Sequence, residues 1–168
     1  IQAEKDPDVK YFNHTGINDA GSTLDEKIIL DAAKFLETGQ KTELNYNVKN
    51  TDRTIGSKLS SNIYNKFKDS HINDDQITLN LNGSAGQSLG SFAVRGLTLK
   101  VHGDANDYVG KSLSGGKIVI RPDKNSKIKS NENTIMGNTC MYGATSGSLY
   151  ASGKAGERFA VRNSGATA

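Results

Sequence analysis

Fourteen of the eighteen glycines fall in the last 86 of the 168 residues, from Gly83 onward, and only Gly16, Gly21, Gly39 and Gly56 precede them. The two halves must therefore fold by different rules. In the glycine-rich half the spacing recurs: Gly83-x-x-Gly86-x-x-x-Gly90 returns 20 residues later as Gly103-x-x-Asn106-x-x-x-Gly110, and again as Gly153-x-x-Gly156-x-x-x-Ala160. A six-residue interval links Gly90 to Gly96, Gly110 to Gly116 and Gly137 to Gly143, with Ala160 to Ala166 as a small-residue version. Each pair leads into a short β-prone run: Leu97 to Val101, Lys117 to Ile120, and Ser148 to Tyr150. A unit of about 20 residues cannot bury an apolar face alone, whereas stacked copies make one continuous core. The spacing therefore predicts a mainly β fold, a parallel solenoid with small residues at its corners. Gly110 to Gly137 is 27 residues rather than 20, which implies an insertion of seven, placed in a loop over Pro122 to Asn133.

Ahead of the repeat the pattern is helical and then alternating. Thr23-Leu24-Asp25-Glu26 fits a capping box. Leu24, Ile28, Ala32, Phe35 and Leu36 recur at helical spacing until Gly39, predicting a helix over 24–38. Thr42, Leu44, Tyr46 and Val48 alternate with Glu43, Asn45 and Asn47 as a strand with one covered face. A second helix is expected from Ile55, Leu59, Ile63 and Phe67, capped by Asn50, Thr51 or Asp52. Ile77, Leu79 and Leu81 then alternate as a lead-in strand. The segment up to Asp19 has no clear period and reads as a strap on a neighbour. The expected division is an N-terminal strap, helices and lead-in strand over 1–76, and glycine-rich coils over 77–168.

Composition removes several function classes. A formal net charge of +3, with 21 Lys and Arg scattered among 18 Asp and Glu, says little about nucleic acid. Lys124, Lys127 and Lys129 form the densest basic stretch, but no aromatic residue beside them offers a base-stacking platform. No apolar run approaches the roughly 18 residues that cross a bilayer, and Ile1 to Lys10 lack a secretory h-region. A cytoplasmic protein with no nucleic-acid or membrane partner is the expectation. Cys140 alone supplies neither a disulfide nor a four-thiolate cluster.

No catalytic, cofactor-binding or metal-ligating residue emerges. The glycine spacings match neither the dinucleotide fingerprint nor the phosphate loop, since Gly110-Lys111-Ser112 lacks the glycine five residues earlier. Asp104 to Asp107 lacks the alternating acids and distal Glu of a calcium loop. His14, His71 and His102 have no metal spacing, and Ser84, Ser88, Ser114 and Ser164 sit in no nucleophile elbow. Gln87, Asp107 and Glu157 share one repeat position, which reads as a stacked polar row rather than an acid and base pair. The residues singled out are therefore structural turns: Gly83, Gly86, Gly90, Gly96, Gly103, Gly110, Gly116, Gly137, Gly143, Gly153 and Gly156.

Four runs then carry a resemblance: Gly83 to Ser88, Gly103 to Lys111, Tyr142 to Thr145, and Ala155 to Ser164. They resemble the C-terminal GXGXG domain of the glutamate synthase large (α) subunit, with weaker likeness upstream through Asn50-Thr51-Asp52-Arg53. The resemblance implies a right-handed parallel β-helix behind an N-terminal segment with two α-helices. It implies partners too, a glutaminase domain and an FMN-binding barrel of the same enzyme, between which the coils act as a non-catalytic spacer. The complete enzyme releases ammonia from glutamine and delivers it to 2-oxoglutarate, using FMN and an iron–sulfur cluster; no cofactor is expected in this chain. Family members continue beyond the stretch ending Ala168, so an excised segment with an open coil is expected, able to pair as a homo-oligomer. In a photosynthetic eukaryote the location would be the plastid stroma. The alternative is the same fold as a separate subunit, resembling the formylmethanofuran dehydrogenase C subunit.

Overall fold

The computed structural model describes residues 21–68 and 72–168. The N-terminal strap, His14 and His71 lie outside the described residues.

The predicted first helix forms as two pieces, α1 (Leu24–Asp31) and α2 (Ala33–Thr38), hinged at Ala32 with φ −85° and ψ 3°. Glu26 Oε2 accepts from the Thr23 amide at 3.2 Å, as a capping box requires of its third helical residue. Gly39, at φ 72°, ends α2. Strand β1 (Thr42–Val48) has the predicted alternation: Glu43, Asn45 and Asn47 are exposed, and the residues between them are covered.

The second helix, α3 (Ser57–Phe67), begins later than its apolar stripe suggests. Ile55 precedes it in the chain, buried at the foot of the stack. Its cap also comes from elsewhere: the carboxylate of Asp25 on α1 accepts from the amides of Gly56 at 2.8 Å and Lys58 at 2.7 Å. Asp52, an expected local cap, instead accepts from the Lys49 amide. One buried acid thus fixes the start of α3 and the packing of α1 on it. Burial raises the Asp25 pKa above the usual carboxylate value, against the lowering effect of those amide hydrogen bonds.

The strands β2 (Ile77–Ala85), β3 (Leu97–Ala105), β4 (Ser114–Arg121), β5 (Thr134–Met136), β6 (Ser146–Ala151) and β7 (Lys154–Ala155) follow. All pair in parallel, in the order β1-β2-β3-β4-β6, with β5 beside β3 and β7 beside β5. The 20-residue register is direct: Leu79 faces Leu99, Leu81 faces Val101 and Gly83 faces Gly103. Leu99 then faces Ile118, and Ile118 faces Leu149, so the inward residues of successive strands make one apolar row. Phe35, Ile55, Leu59 and Ile63 join that core from the helical side.

The expected mainly β, right-handed parallel β-helix does not hold. The described residues form an α/β fold in which seven strands share one parallel sheet and three helices accompany it. The reason lies ahead of the glycine-rich half. β1 pairs with β2 over its whole length, from Thr42 on Ile77 to Val48 on Gly83, and α3 lies in the connection between them. A parallel neighbour requires a crossover, and here a helix supplies it.

Candidate functional site

Four turns, those after β2, β3, β5 and β7, share one backbone pattern. In each, three alternate residues have positive φ: Ser88, Gly90 and Phe92; Tyr108, Gly110 and Ser112; Thr139, Met141 and Gly143; Arg158, Ala160 and Arg162. Their amides knit the connections together in alternating directions. Ser88, Tyr108 and Thr139 donate forward to the carbonyls of Asp107, Asn138 and Glu157, at 2.8 to 2.9 Å. Gly110, Met141 and Ala160 donate backward to Leu89, Val109 and Cys140. Phe92, Ser112 and Gly143 donate forward again, to Lys111, Tyr142 and Val161. Buried backbone groups need partners, and here adjacent turns supply them.

This ladder fixes the equivalences. Gly86, Asn106, Gly137 and Gly156 donate to Asp52, Ala85, Ala105 and Met136. Gly137 therefore occupies the position of Gly86, not that of Gly90 and Gly110. The insertion before it is eleven residues rather than seven, because Asn106 to Gly137 spans 31 against the 20 of Gly86 to Asn106. The position of Gly110 falls to Met141, which breaks the small-residue pattern.

Gln87, Asp107 and Glu157 do share one turn position, with Asn138 as its fourth member. Asp107 Oδ1 accepts from the Asn138 amide, and Asn138 Oδ1 from the Glu157 amide, each at 2.7 Å. Asp107 and Glu157 stand two turns apart, about 10 Å at the usual strand spacing. They do not meet as an acid and base pair.

Two of the clefts among the described residues hold Asp75 and His102. The larger, about 460 Å³, is lined by Asp75, Thr98, Gly115, Lys117, Gly147 and Ser148 among others. Lys117 Nζ lies 2.8 Å from both carboxylate oxygens of Asp75, and Thr98 Oγ1 donates to Oδ1 at 2.5 Å. The Lys117 hydrogen bond, helped by Thr98, holds the Asp75 carboxyl below its ordinary pKa. Asp75 has φ 55°, so this ion pair also pins a residue in the left-handed region. The smaller cleft, about 270 Å³, includes His102, Asp104 and Ile128. His102 Nδ1 accepts from Arg121 Nε at 3.3 Å; burial first, then the cations of Arg121 and Lys124, hold its pKa below the usual imidazole value.

Neither cleft assembles a reactive set. Asp75 is engaged by Lys117, and His102 has Arg121 rather than a carboxylate on its ring. Cys140 is buried and donates to the Gly137 carbonyl at 3.2 Å, and burial pushes its thiol up to about 11. A lone protonated thiol does not offer the donor set of an iron–sulfur cluster. Among the described residues no three His, Cys, Asp or Glu converge where they could hold a metal ion. Asn106 Nδ2, in the Asp104 to Asp107 run, bonds Asn50 Oδ1 at 2.8 Å and so ties the first turn to the third. Among the described residues no helix is long and apolar enough to cross a membrane.

Comparison with known proteins adds the following. Residues 25–168 match the family described as the GXGXG motif. The glutamate synthase (NADPH) large chain of Azospirillum brasilense is 54% identical over 167 residues, covering 98% of this chain and 11% of that protein. The glutamate synthase (NADH) of Saccharomyces cerevisiae is 54% identical over 144 residues, 86% of this chain and 7% of that protein. The ferredoxin-dependent glutamate synthase 2 of a Synechocystis species is 47% identical over 167 residues, 94% of this chain and 10% of that protein. The chain thus spans about a tenth of the length of the curated relatives it matches.

Proposed function

The chain belongs to the GXGXG motif family, and from that premise we propose that it is the structural segment of a cytoplasmic glutamate synthase, holding a glutaminase domain and an FMN-binding synthase domain at a fixed separation. The observation that carries the reading is the use made of the polar groups. Asp107 and Asn138 spend their side chains on the amides of the next turn, and the turn amides spend themselves on neighbouring turns. What results is a stiff stack with its polar groups turned to structure. Ammonia transfer between two sites depends on their alignment, and a displacement of about 1 Å can cost about a hundredfold in rate. The cofactors of the complete enzyme belong, in this reading, to other domains.

The test lengthens the stack by one repeat and leaves the sequence of the others unchanged. Duplicating one repeat, residues 86–105, in a full-length synthase adds one strand spacing, about 4.8 Å. Glutaminase turnover, and glutamate formation from added ammonia, should persist within about threefold, while glutamine-dependent glutamate formation falls at least tenfold. Equal retention of all three activities would overturn the spacer role, as would flavin absorbance on the purified 168-residue chain.

A further inference from the structure

The turn ladder requires positive φ at fixed positions, but it does not require large side chains there. Gly143 fills the position held by Phe92 and Ser112 in the other turns, so the fold accepts glycine at that point. A residue with a Cβ is disfavoured at φ near +60°. Even so, Phe92, Tyr108, Arg158 and Arg162 occupy such positions, at φ 60°, 62°, 57° and 57°. Phe92 gains little inside the chain in return, being 56% exposed, and Tyr108 keeps 39% of its surface in solvent. Large side chains held at strained positions and aimed outward are kept for an outside contact.

The charge on this face indicates what makes that contact. Lys111 Nζ lies 6.0 Å from the Tyr108 ring centroid, and the Arg162 guanidinium 6.0 Å from that of Tyr142. Among the described residues no carboxylate forms an ion pair with Lys111, Arg158 or Arg162. Of the two acids in these turns, Asp107 accepts from the Asn138 amide and Glu157 is exposed beside Arg158 in sequence. Aromatic rings interleaved with Arg are the composition of protein interface centres.

We propose that this turn face, centred on Phe92, Tyr108, Lys111 and Arg162, docks an acidic surface of another domain of the same enzyme. The inference rests on the spacer reading above and says which face of the stack makes the contact. Rings and guanidinium planes also suit single-stranded RNA, but the relatives carry this segment as about a tenth of a much longer chain, which sets other domains beside it, and the test below separates the two occupants.

The test uses the full-length synthase and zero-length carbodiimide coupling of Lys111 to neighbouring carboxylates, mapped by mass spectrometry. Lys111 should couple to Asp or Glu outside residues 1–168, whereas Lys66 on α3 should not. In the combined variant Phe92→Gly, Tyr108→Gly and Arg162→Ser the coupling should fall at least fivefold with no drop in melting temperature. The conservative pair Phe92→Tyr and Tyr108→Phe should keep it. Coupling of Lys111 only to Glu157 or to other residues within 1–168, or coupling unchanged in the triple variant, would overturn the proposal. So would protection of Lys111 by an added single-stranded RNA and by nothing else. The coupling is read without turnover, so a wild-type enzyme that failed the glutamate assay would count against the spacer reading and leave this result standing.

Discussion

The inner corner, where each strand bends into its turn, and the outer face of the turn use positive φ under different constraints. At the inner corner Gly83 and Gly103 stand directly opposite each other, at φ 121° and 151°. A Cβ on Gly103 would run into the Gly83 carbonyl oxygen, and one on Gly83 into that of Val48. On the outer face the same half of conformational space carries Phe92, Tyr108 and Arg158. Dihedral angle alone therefore does not demand glycine in this chain. Space between neighbouring segments does: there is none at the inner corner, nor where Gly86, Gly137, Gly147 and Gly165 abut the backbone beside them.

Substitutions at the two sites should separate steeply. Gly103→Ala is the most damaging, because the backbone opposite cannot yield: a loss of about 3 to 5 kcal/mol is expected in thermal or urea unfolding. A loss under about 1 kcal/mol would remove the steric argument. Gly110→Ala should cost only about 1 kcal/mol, the ordinary penalty of that conformation. Its Cβ would meet the movable Ile118 Cδ1 at 3.3 Å, and Met141 and Ala160 already occupy the equivalent position.

The Asp75 and Lys117 pair should give a smaller effect with a pH signature. Asp75 is held below its ordinary value near 3.8, chiefly by Lys117, so the stability it supplies is present above that value and lost as pH falls through the lower folded one. Both side chains are more than a third exposed, 35% and 40%, so Lys117→Met should cost under about 1 kcal/mol at neutral pH. The difference should close once the pH is acid enough to protonate Asp75 in the folded protein, below its ordinary 3.8. An equal loss at both pH values would mean that Lys117 acts through packing alone. Smallest of all, Phe92→Gly should fall within about 1 kcal/mol of the parent, on the stabilising side, because it relieves a strained position. A clear loss in melting temperature would make Phe92 part of the core economy and remove the contrast between the two sites.

Much of this arrangement could be read from residue order. The alternation in Thr42 to Val48 and Ile77 to Leu81, and the repeat from Gly83 to Gly103, report burial and backbone contact directly, since both act residue by residue. The glycine spacing does not give the fold class, because β1, which has no glycine, joins the same parallel sheet. The cap on α3 was invisible because Asp25 reaches it from 31 residues away. The turn face was missed for a related reason. Glycine is the residue that signals positive φ in a sequence, and Tyr108 and Arg158 adopt it because the ladder on both sides over-determines the backbone. The glycine spacing sets Gly137 four residues out of register, because Met141, a large residue, stands where Gly110 does.

The most direct measurement is native-state amide hydrogen exchange in the turns. If their backbones are knitted from one to the next, the amides of Tyr108, Gly110 and Met141 should be protected as strongly as those of Leu99 and Val101 in β3, and far more than those of Asn125 and Ile128 in the 122–133 loop. Turn amides exchanging at the rate of that loop would show that the sheet stands without the ladder, and the account of a stiff positioning stack would be wrong.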